Sequence, residues 1–294
     1  MKKCVLSVDA GGTYLKAALV TLEGEIIADT FMKVPVNSDG ELDKIVESYK
    51  TLATTAKEKA EALDSEITAV GVCIPGPFDY ENGICRMTHK YVSIFGIPMR
   101  PWFEEVLGDV PITFVHDSAG FILGATRNPK YAQYKKIGGV MLGTGLGFAT
   151  MENGKVMKNE TGGPAVSIYN VPYNGSTAEE FASRRAVKRM FYELSPDAPE
   201  GLDAYEICCL ATEGDKNAYR AYEMMGEHLA NILHDVLRDG GYDCLLLGGA
   251  ISKEPNYSLE AIKKGLADLE GLKLIEIVDD IDNTPIYGAA KGAL

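Results

Sequence analysis

Apolar residues along this chain come in short runs broken by glycine, and two of the breaks resemble one another. Residues 4–8 lead into Asp9-Ala10-Gly11-Gly12-Thr13, and a second apolar run at residues 16–20 leaves that turn. After the midpoint, residues 140–142 lead into Gly143-Thr144-Gly145-Leu146-Gly147, and residues 148–151 leave it. Each copy reads as strand, tight turn, strand. The exits match as well, at Leu22-Glu23-Gly24-Glu25 and Glu152-Asn153-Gly154-Lys155, Asn-Gly being the strongest short-range hairpin signal.

Between the copies, residues 41–63 are rich in Ala, Lys, Glu and Leu with no Gly or Pro, which predicts a surface helix. Residues 67–74 are almost continuously apolar and end at Pro75-Gly76-Pro77, as a strand buried on both faces does. A turn at 79–83, a short helix at 99–107 and a strand at 112–115 follow. His116-Asp117-Ser118-Ala119-Gly120 then opens an apolar stretch to residue 125.

In the second half, residues 159–175 form a loop heavy in Gly, Pro, Asn and Tyr, a length more typical of binding loops than of linkers. Ser176-Thr177-Ala178-Glu179 has capping-box spacing and predicts a helix running toward residue 194. Helices are expected at 203–212 and 215–237. The second carries Tyr219, Tyr222, Met225, Gly226, Leu229, Ile232, Leu233 and Val236 on one face, a core stripe. A fully apolar strand at 244–247 stops at Gly248-Gly249-Ala250-Ile251-Ser252. A last strand at 272–278 and a closing helix at 284–294, packed back on the first lobe, complete the chain.

Composition narrows the function classes. A chain of 294 residues with 46% apolar content has enough material for two lobes, each with a core. Its 42 acidic and 29 basic residues give a net charge of −13, the wrong sign for gripping a nucleic-acid backbone. No apolar stretch has the length of a signal-peptide core or a membrane span, so a cytoplasmic protein with no membrane partner is expected. The six cysteines are scattered, without the paired spacing of a zinc site, and read as reduced core thiols.

The candidate chemistry lies in the turns. Glycine admits positive φ and close approach, so successive N–H groups can face an anion, and a threonine adds a hydroxyl donor. Two such turns suggest phosphates gripped from two half-chains; the other reading is a pair of tight hairpins. Neither turn is a dinucleotide fingerprint, since Phe148 and a strand follow the second, and no P-loop lysine is present. Gly248 and Gly249, directly after a strand, suit a flat base or ribose. Asp117 follows a strand and begins a helix, which suits either an active-site carboxylate or a simple helix cap.

DAGGTYLKAAL (residues 9–19), IPGPFD (74–79), HDSAGFILGA (116–125), GTGLG (143–147), LLLGGAIS (245–252) and the terminal IYGAAKGAL together resemble the ROK family of sugar kinases and sugar-responsive repressors. The resemblance runs from about residue 3 to the C-terminus. It implies an α/β protein of two ribonuclease-H-like, actin-like ATPase lobes with ATP and Mg²⁺ in an interlobe cleft. The lobes would be residues 1–117 with helix 284–294, and residues 118–283. Position by position, it makes Asp9 a magnesium ligand through water. Gly11, Gly12, Thr13 and Lys16 become the first phosphate loop, Thr144, Gly145 and Gly147 the second, and Gly248, Gly249 and Ala250 the adenosine contact. Asp117 becomes the general base, and Asp117 and Glu179 remain from the family's sugar-facing set.

The departures concern the sugar. His116 stands where the family usually has Asn, and His89-Lys90-Tyr91 replaces a segment with a sugar-binding Asn. Pro164 and Ser167 stand at the Glu and His of a Gly-Glu-x-Gly-His motif, and Tyr173-Asn174-Gly175-Ser176 replaces the cysteine-rich zinc motif, so no zinc is expected. His116 and Lys90 suit a sugar with an anionic group; alternatively His116 hydrogen-bonds a hydroxyl as Asn would. The resemblance implies an ATP-dependent kinase acting on a hydroxyl of a hexose or amino sugar, with a family tendency toward homodimers. The alternative is a non-catalytic sugar-binding regulator, whose family members carry a DNA-binding segment ahead of this body; a degenerate ATP binder is the third reading.

Overall fold

A computed structural model of the chain describes residues 1–253 and 256–294. The chain divides into two compact units: residues 1–129, 158–164 and 283–294 form the first, and residues 130–157 and 165–282 the second.

The first unit is built on a five-stranded sheet. Strands β1 (Lys2–Ala10), β2 (Tyr14–Thr21) and β3 (Met32–Pro35) form an antiparallel meander; β4 (Ser65–Ile74) and β7 (Ile112–His116) extend it in parallel, giving the order β3-β2-β1-β4-β7. Helix α1 (Leu42–Ala62) joins β3 to β4. Its buried Ile45, Tyr49, Leu52, Ala53, Ala56 and Ala60 recur at helical spacing. Tyr49 meets Trp102 and Phe103 of α2 (Arg100–Leu107) at ring distances of 5.4 and 5.9 Å. A small hairpin of β5 (Phe78–Asp79) and β6 (Ile84–Cys85) precedes α2, and α3 (Asp117–Ala125) follows β7 directly.

The second unit repeats the plan. Strands β8 (Lys136–Leu142), β9 (Leu146–Glu152) and β10 (Lys155–Met157) form the meander, and β13 (Cys244–Gly248) and β14 (Leu274–Ile277) add in parallel, giving β10-β9-β8-β13-β14. Asn153 and Gly154 have φ of 50° and 76°, the type I′ geometry their sequence predicts. Strands β11 (Pro172–Tyr173) and β12 (Ser176–Thr177) pair over Asn174-Gly175, with φ of 46° and 79°. Helices α4 (Arg184–Leu194), α5 (Ala204–Thr212), α6 (Lys216–Gly240) and α7 (Leu259–Gly265) complete the unit. The α6 stripe is core, with Met225, Leu229 and Leu233 fully buried, although Tyr219 at its start is 43% exposed and packs instead on Tyr257.

Helix α8 (Thr284–Ala293) returns to the first unit. β1 alternates between two covers: Leu6, Val8 and Ala10 share a core with α1 and α2, while Val5 packs with Ile286 and Ala290 of α8 and the buried Ser7 hydroxyl donates to the Ile286 carbonyl. α3 lies against α8 so closely that a β-carbon on Gly124 would fall 1.9 Å from the Thr284 carbonyl oxygen. That packing keeps α3 with the first unit, so the division falls after residue 129 and not after residue 117.

Three local expectations change. The helix expected from Ser176 begins at Arg184, because residues 176–177 pair as β12 and residues 178–180 form a single 3-10 turn. The loop at 159–175 is not one structureless piece: its first part stands with the first unit, and its end pairs as β11. Positive φ is not what the phosphate-loop glycines supply, since of Gly11, Gly12, Gly145, Gly147, Gly248 and Gly249 only Gly249 has it, at 87°. Among the described residues no helix is long and apolar enough to cross a membrane.

Candidate active site

In the first unit the parallel strands end level. Asp9 of β1 pairs with Cys73 of β4, and Cys73 with Val115 of β7, so His116 and Asp117 emerge beside Asp9 at the carboxyl edge. Lys16 of β2 lies across the ladder from Asp9. Carboxyl edges of such sheets are where open α/β folds bind ligands.

The two carboxylates there differ in their surroundings. Burial pushes the Asp9 carboxyl up to about 6; Lys16 pulls it down and the charge of Asp117 adds to the rise. Asp9 is half-buried, and its carboxylate accepts no hydrogen bond from any described residue. Burial also works against the charge of Asp117. The His116 imidazole, the Ser118 N–H and the Lys90 ammonium together outweigh it and hold that carboxyl below the usual aspartate range.

His116 Nδ1 lies 2.9 Å from Asp117 Oδ1 and 2.8 Å from the Ser118 hydroxyl, and the Ser118 N–H donates to Asp117 Oδ1 at 2.6 Å. His116 caps α3, and Asp117 sits in its first turn, where the exposed N–H groups favour negative charge. Both residues take part in the cap, since the Ser118 N–H lies 3.2 Å from His116 Nδ1 and 2.6 Å from Asp117 Oδ1. Asp117 keeps 37% of its side-chain surface open, enough for a ligand to reach it. The imidazole packs edge-on against Tyr80 with ring centroids 5.8 Å apart, and Gly162 also lies against Tyr80.

The first glycine turn is fastened from outside. Tyr91 donates its hydroxyl to the Gly11 carbonyl at 2.6 Å, and the Ser38 N–H donates to the Gly12 carbonyl at 2.9 Å. Tyr91 is fully buried yet has φ of 53°, a conformation rare for an aromatic residue, and its N–H donates to the Ser38 carbonyl. The N–H groups of Gly12 and Thr13 and the Thr13 hydroxyl have no hydrogen-bond partner among the described residues, leaving donors for an anion.

The second turn has the same character. Gly143 donates to the Gly145 carbonyl at 3.1 Å, and the Thr144 and Gly145 N–H groups are left over among the described residues. Gly147 lies within β9, paired with Met141, outside the turn itself. Gly249 is pressed against the end of β8: a β-carbon there would lie 2.3 Å from the Leu142 carbonyl oxygen, which brings the third glycine motif beside the second turn. Glu179 also belongs to this unit, its Oε2 accepting from the Leu146 N–H at 2.9 Å and its Oε1 from Arg185 at 3.0 Å.

The structure therefore brings Asp9, Lys16, Lys90, His116 and Asp117 together in the first unit, and Gly145, Glu179, Gly248 and Gly249 in the second. Tyr80, Tyr91 and Ser38 are site residues that no local pattern marks. A half-buried acid with no hydrogen-bond partner among the described residues has the chemistry to hold a divalent cation. Among the described residues no three His, Cys, Asp or Glu side chains are grouped as a metal cage.

Two sheets of identical order, each with a glycine-threonine turn between its first two strands, define the actin-like ATPase architecture. The chain belongs to the ROK family, whose model matches residues 5–290. It is 24% identical over 285 residues to a glucokinase of Thermotoga maritima, covering 90% of this chain and 87% of that protein. It is 25% identical over 279 residues to an N-acetyl-D-glucosamine kinase of Haemophilus influenzae, covering 88% and 87%. Among solved structures, a ROK family glucokinase from Streptomyces griseus in complex with glucose and AMPPNP superposes with a TM-score of 0.80 at 21% identity, over 99% of each chain.

Proposed function

We propose that this protein is an ATP-dependent carbohydrate kinase that transfers the γ-phosphoryl group to a hydroxyl of a hexose or amino sugar. The observation that carries the reading is Asp117: an accessible carboxylate, kept ionised by His116, Ser118 and Lys90, beside a second acid poised for a cation. Membership of the ROK family and the kinases among its relatives support it.

In this reading Asp117 accepts the proton of the attacking sugar hydroxyl as its oxygen bonds to phosphorus. In the first unit the N–H groups of Gly12 and Thr13, with Lys16, are offered to phosphate oxygens; in the second unit those of Thr144 and Gly145 are offered likewise, and Gly248, Gly249 and Ala250 to the adenosine. His116 and Lys90 hold sugar substituents. Asp9 would hold hydrated Mg²⁺, which when bound would supply charge neutralisation at the phosphates. Positioning and charge stabilisation are most of what phosphoryl transfer requires, and these groups supply both.

The test is a panel of hexoses, N-acetylhexosamines and sugar acids with ATP and Mg²⁺. ATP consumption should depend on one sugar class and fall by about 10²- to 10⁴-fold in Asp117→Asn with sugar binding retained. Full activity in that variant would remove Asp117 as the base. A sugar-binding regulator on the same fold would bind a sugar and leave ATP intact throughout the panel.

A further inference from the structure

We infer that Tyr91 is a positioning residue for the triphosphate: its hydroxyl holds the Gly11 carbonyl back from the ligand and so aims the Gly12 N–H at a phosphate oxygen. The inference rests on the kinase reading and concerns the first glycine turn.

Three successive carbonyls of this turn accept hydrogen bonds. Gly12 accepts from the Ser38 N–H and Thr13 from the Val36 N–H, each at 2.9 Å, and both donors belong to the backbone that follows β3. Of the three, Gly11 is the one held by a side chain, the Tyr91 hydroxyl at 2.6 Å. The peptides of the turn are trans, and in a trans peptide the C=O and the N–H that follows it point in opposite directions. Each engaged carbonyl therefore turns its N–H the other way. Those N–H groups, of Gly12 and Thr13, have no partner among the described residues. The Gly11–Gly12 peptide lies between two glycines, where the backbone rotates most freely. Without a strut its oxygen could swing toward the phosphate and repel it.

Tyr91 is held where the strut is needed. It is fully buried at φ 53° and ψ 31°, a left-handed conformation that an aromatic residue seldom adopts. Such strain persists only where the surroundings over-determine it, and it gathers at ligand sites. Here its N–H donates to the Ser38 carbonyl at 2.8 Å, so the residue that holds Gly11 is tied to the one that holds Gly12. Gly11, Gly12, Ser38 and Tyr91 thus close a circuit of hydrogen bonds from three separate stretches of chain. Burial pushes the Tyr91 phenol up to about 12, so the hydroxyl keeps its proton and donates.

Tyr91→Phe keeps the ring and the backbone and removes the donor. ATP affinity, measured by calorimetry without sugar, should weaken roughly 10-fold, the loss of one hydrogen bond from an N–H to a charged oxygen. The KM for ATP should rise in step, with the sugar KM nearly unchanged. Adenosine, which carries no phosphate, should bind both proteins alike. Amide NMR supplies the residue-level signature. ATP should shift the Gly12 and Thr13 N–H resonances of the wild type, and in Tyr91→Phe the Gly12 response should be lost while that of Thr13, whose peptide is held by Ser38, remains. Phe103→Leu is the control for stability: Phe103 packs on Tyr49 in the same core, so the change should lower the melting temperature and leave ATP affinity in place.

A Tyr91→Phe protein that binds ATP as the wild type does would overturn the inference. Equal weakening of ATP in Phe103→Leu, or of adenosine in Tyr91→Phe, would overturn it as well, since the effect would then be one of general stability. If Tyr91→Phe does not fold, the wild-type spectrum decides, and a Gly12 resonance unmoved at saturating ATP counts against it. Wild-type protein that binds no ATP would overturn the kinase reading itself and this role with it, whereas ATP bound and turned over with the Gly12 amide unmoved overturns only the latter.

Discussion

Asp9 and Asp117 leave the same sheet edge, yet their carboxyl groups are displaced in opposite directions, one to about 6 and the other below its ordinary range. The turnover consequence follows from the free-enzyme titration. As pH falls through about 6, Asp9 takes up a proton and loses its hold on a hydrated cation, so kcat/KM for ATP should decline there, while Asp117 remains ionised. Stability runs the other way. Because the folded pKa of Asp9 lies above the ordinary aspartate value, folding binds its proton more tightly. The group imposes no penalty below the unfolded pKa, and imposes its full penalty above the folded one. Asp9→Asn should thus stabilise the ligand-free protein at pH 7.5 by on the order of 1–3 kcal/mol, with the gain gone near pH 4, while abolishing Mg²⁺-dependent turnover. Thermal melts of both proteins at the two pH values check this; a wild type that outlasts the variant at pH 7.5 contradicts it.

Helices α3 and α8 make the close contact that sets Asp117 in place. A β-carbon on Gly288 would fall 1.7 Å from the Gly120 carbonyl oxygen, which is backbone and cannot swing aside as a side chain could. Gly288→Ala should therefore push the helices apart and destabilise the protein by about 1–3 kcal/mol or more, read as a lowered melting temperature, and turnover should drop as the start of α3 moves. Unchanged melting would mean that the contact is looser than its geometry. These glycines were visible in the sequence only as a small-residue stretch, and their reason is helix contact rather than turn formation. Elements set by local pattern were legible: α1 and α6 from their stripes, β4 and β13 from unbroken apolar runs, the Asn153-Gly154 hairpin from its turn residues. Those set by distant partners were not. β3 is a four-residue edge strand fixed by pairing with β2, and the Ser176-to-Glu179 spacing mimics a capping box although the carboxylate goes to Leu146, 33 positions away. The site divides in the same way. Asp117 and the glycine turns could be read directly, whereas Tyr91, Tyr80 and Ser38 reach it through tertiary contacts that leave no local periodicity.

The path of the chain ties the first unit to its last residues. Residues 1–129 supply the sheet and α1 to α3, but one sheet face is covered by α8, more than 150 residues later, together with α3. Ile286, Ala289 and Ala290 are fully buried there, over Val5, Ala18, Val20, Ala69, Cys73 and Val115. Among the described residues the second unit's core cluster, from Val140 to Leu266, contains no residue of that helix. Removing residues 283–294 should accordingly uncover the first unit alone. Lost burial at three apolar side chains and at the sheet face beneath them comes to on the order of 5 kcal/mol, comparable with the whole stability of a small domain. Calorimetry of the shortened protein should show the first unit's transition lost or shifted far down, with the second unit still melting cooperatively. Asp9 and Asp117 lie in the weakened unit and Thr144 and Gly145 in the intact one, so sugar binding and turnover should disappear while amide protection over β8, β9 and β13 persists. A shortened chain that melts as one unit at the original temperature would show that α8 is dispensable to the first sheet.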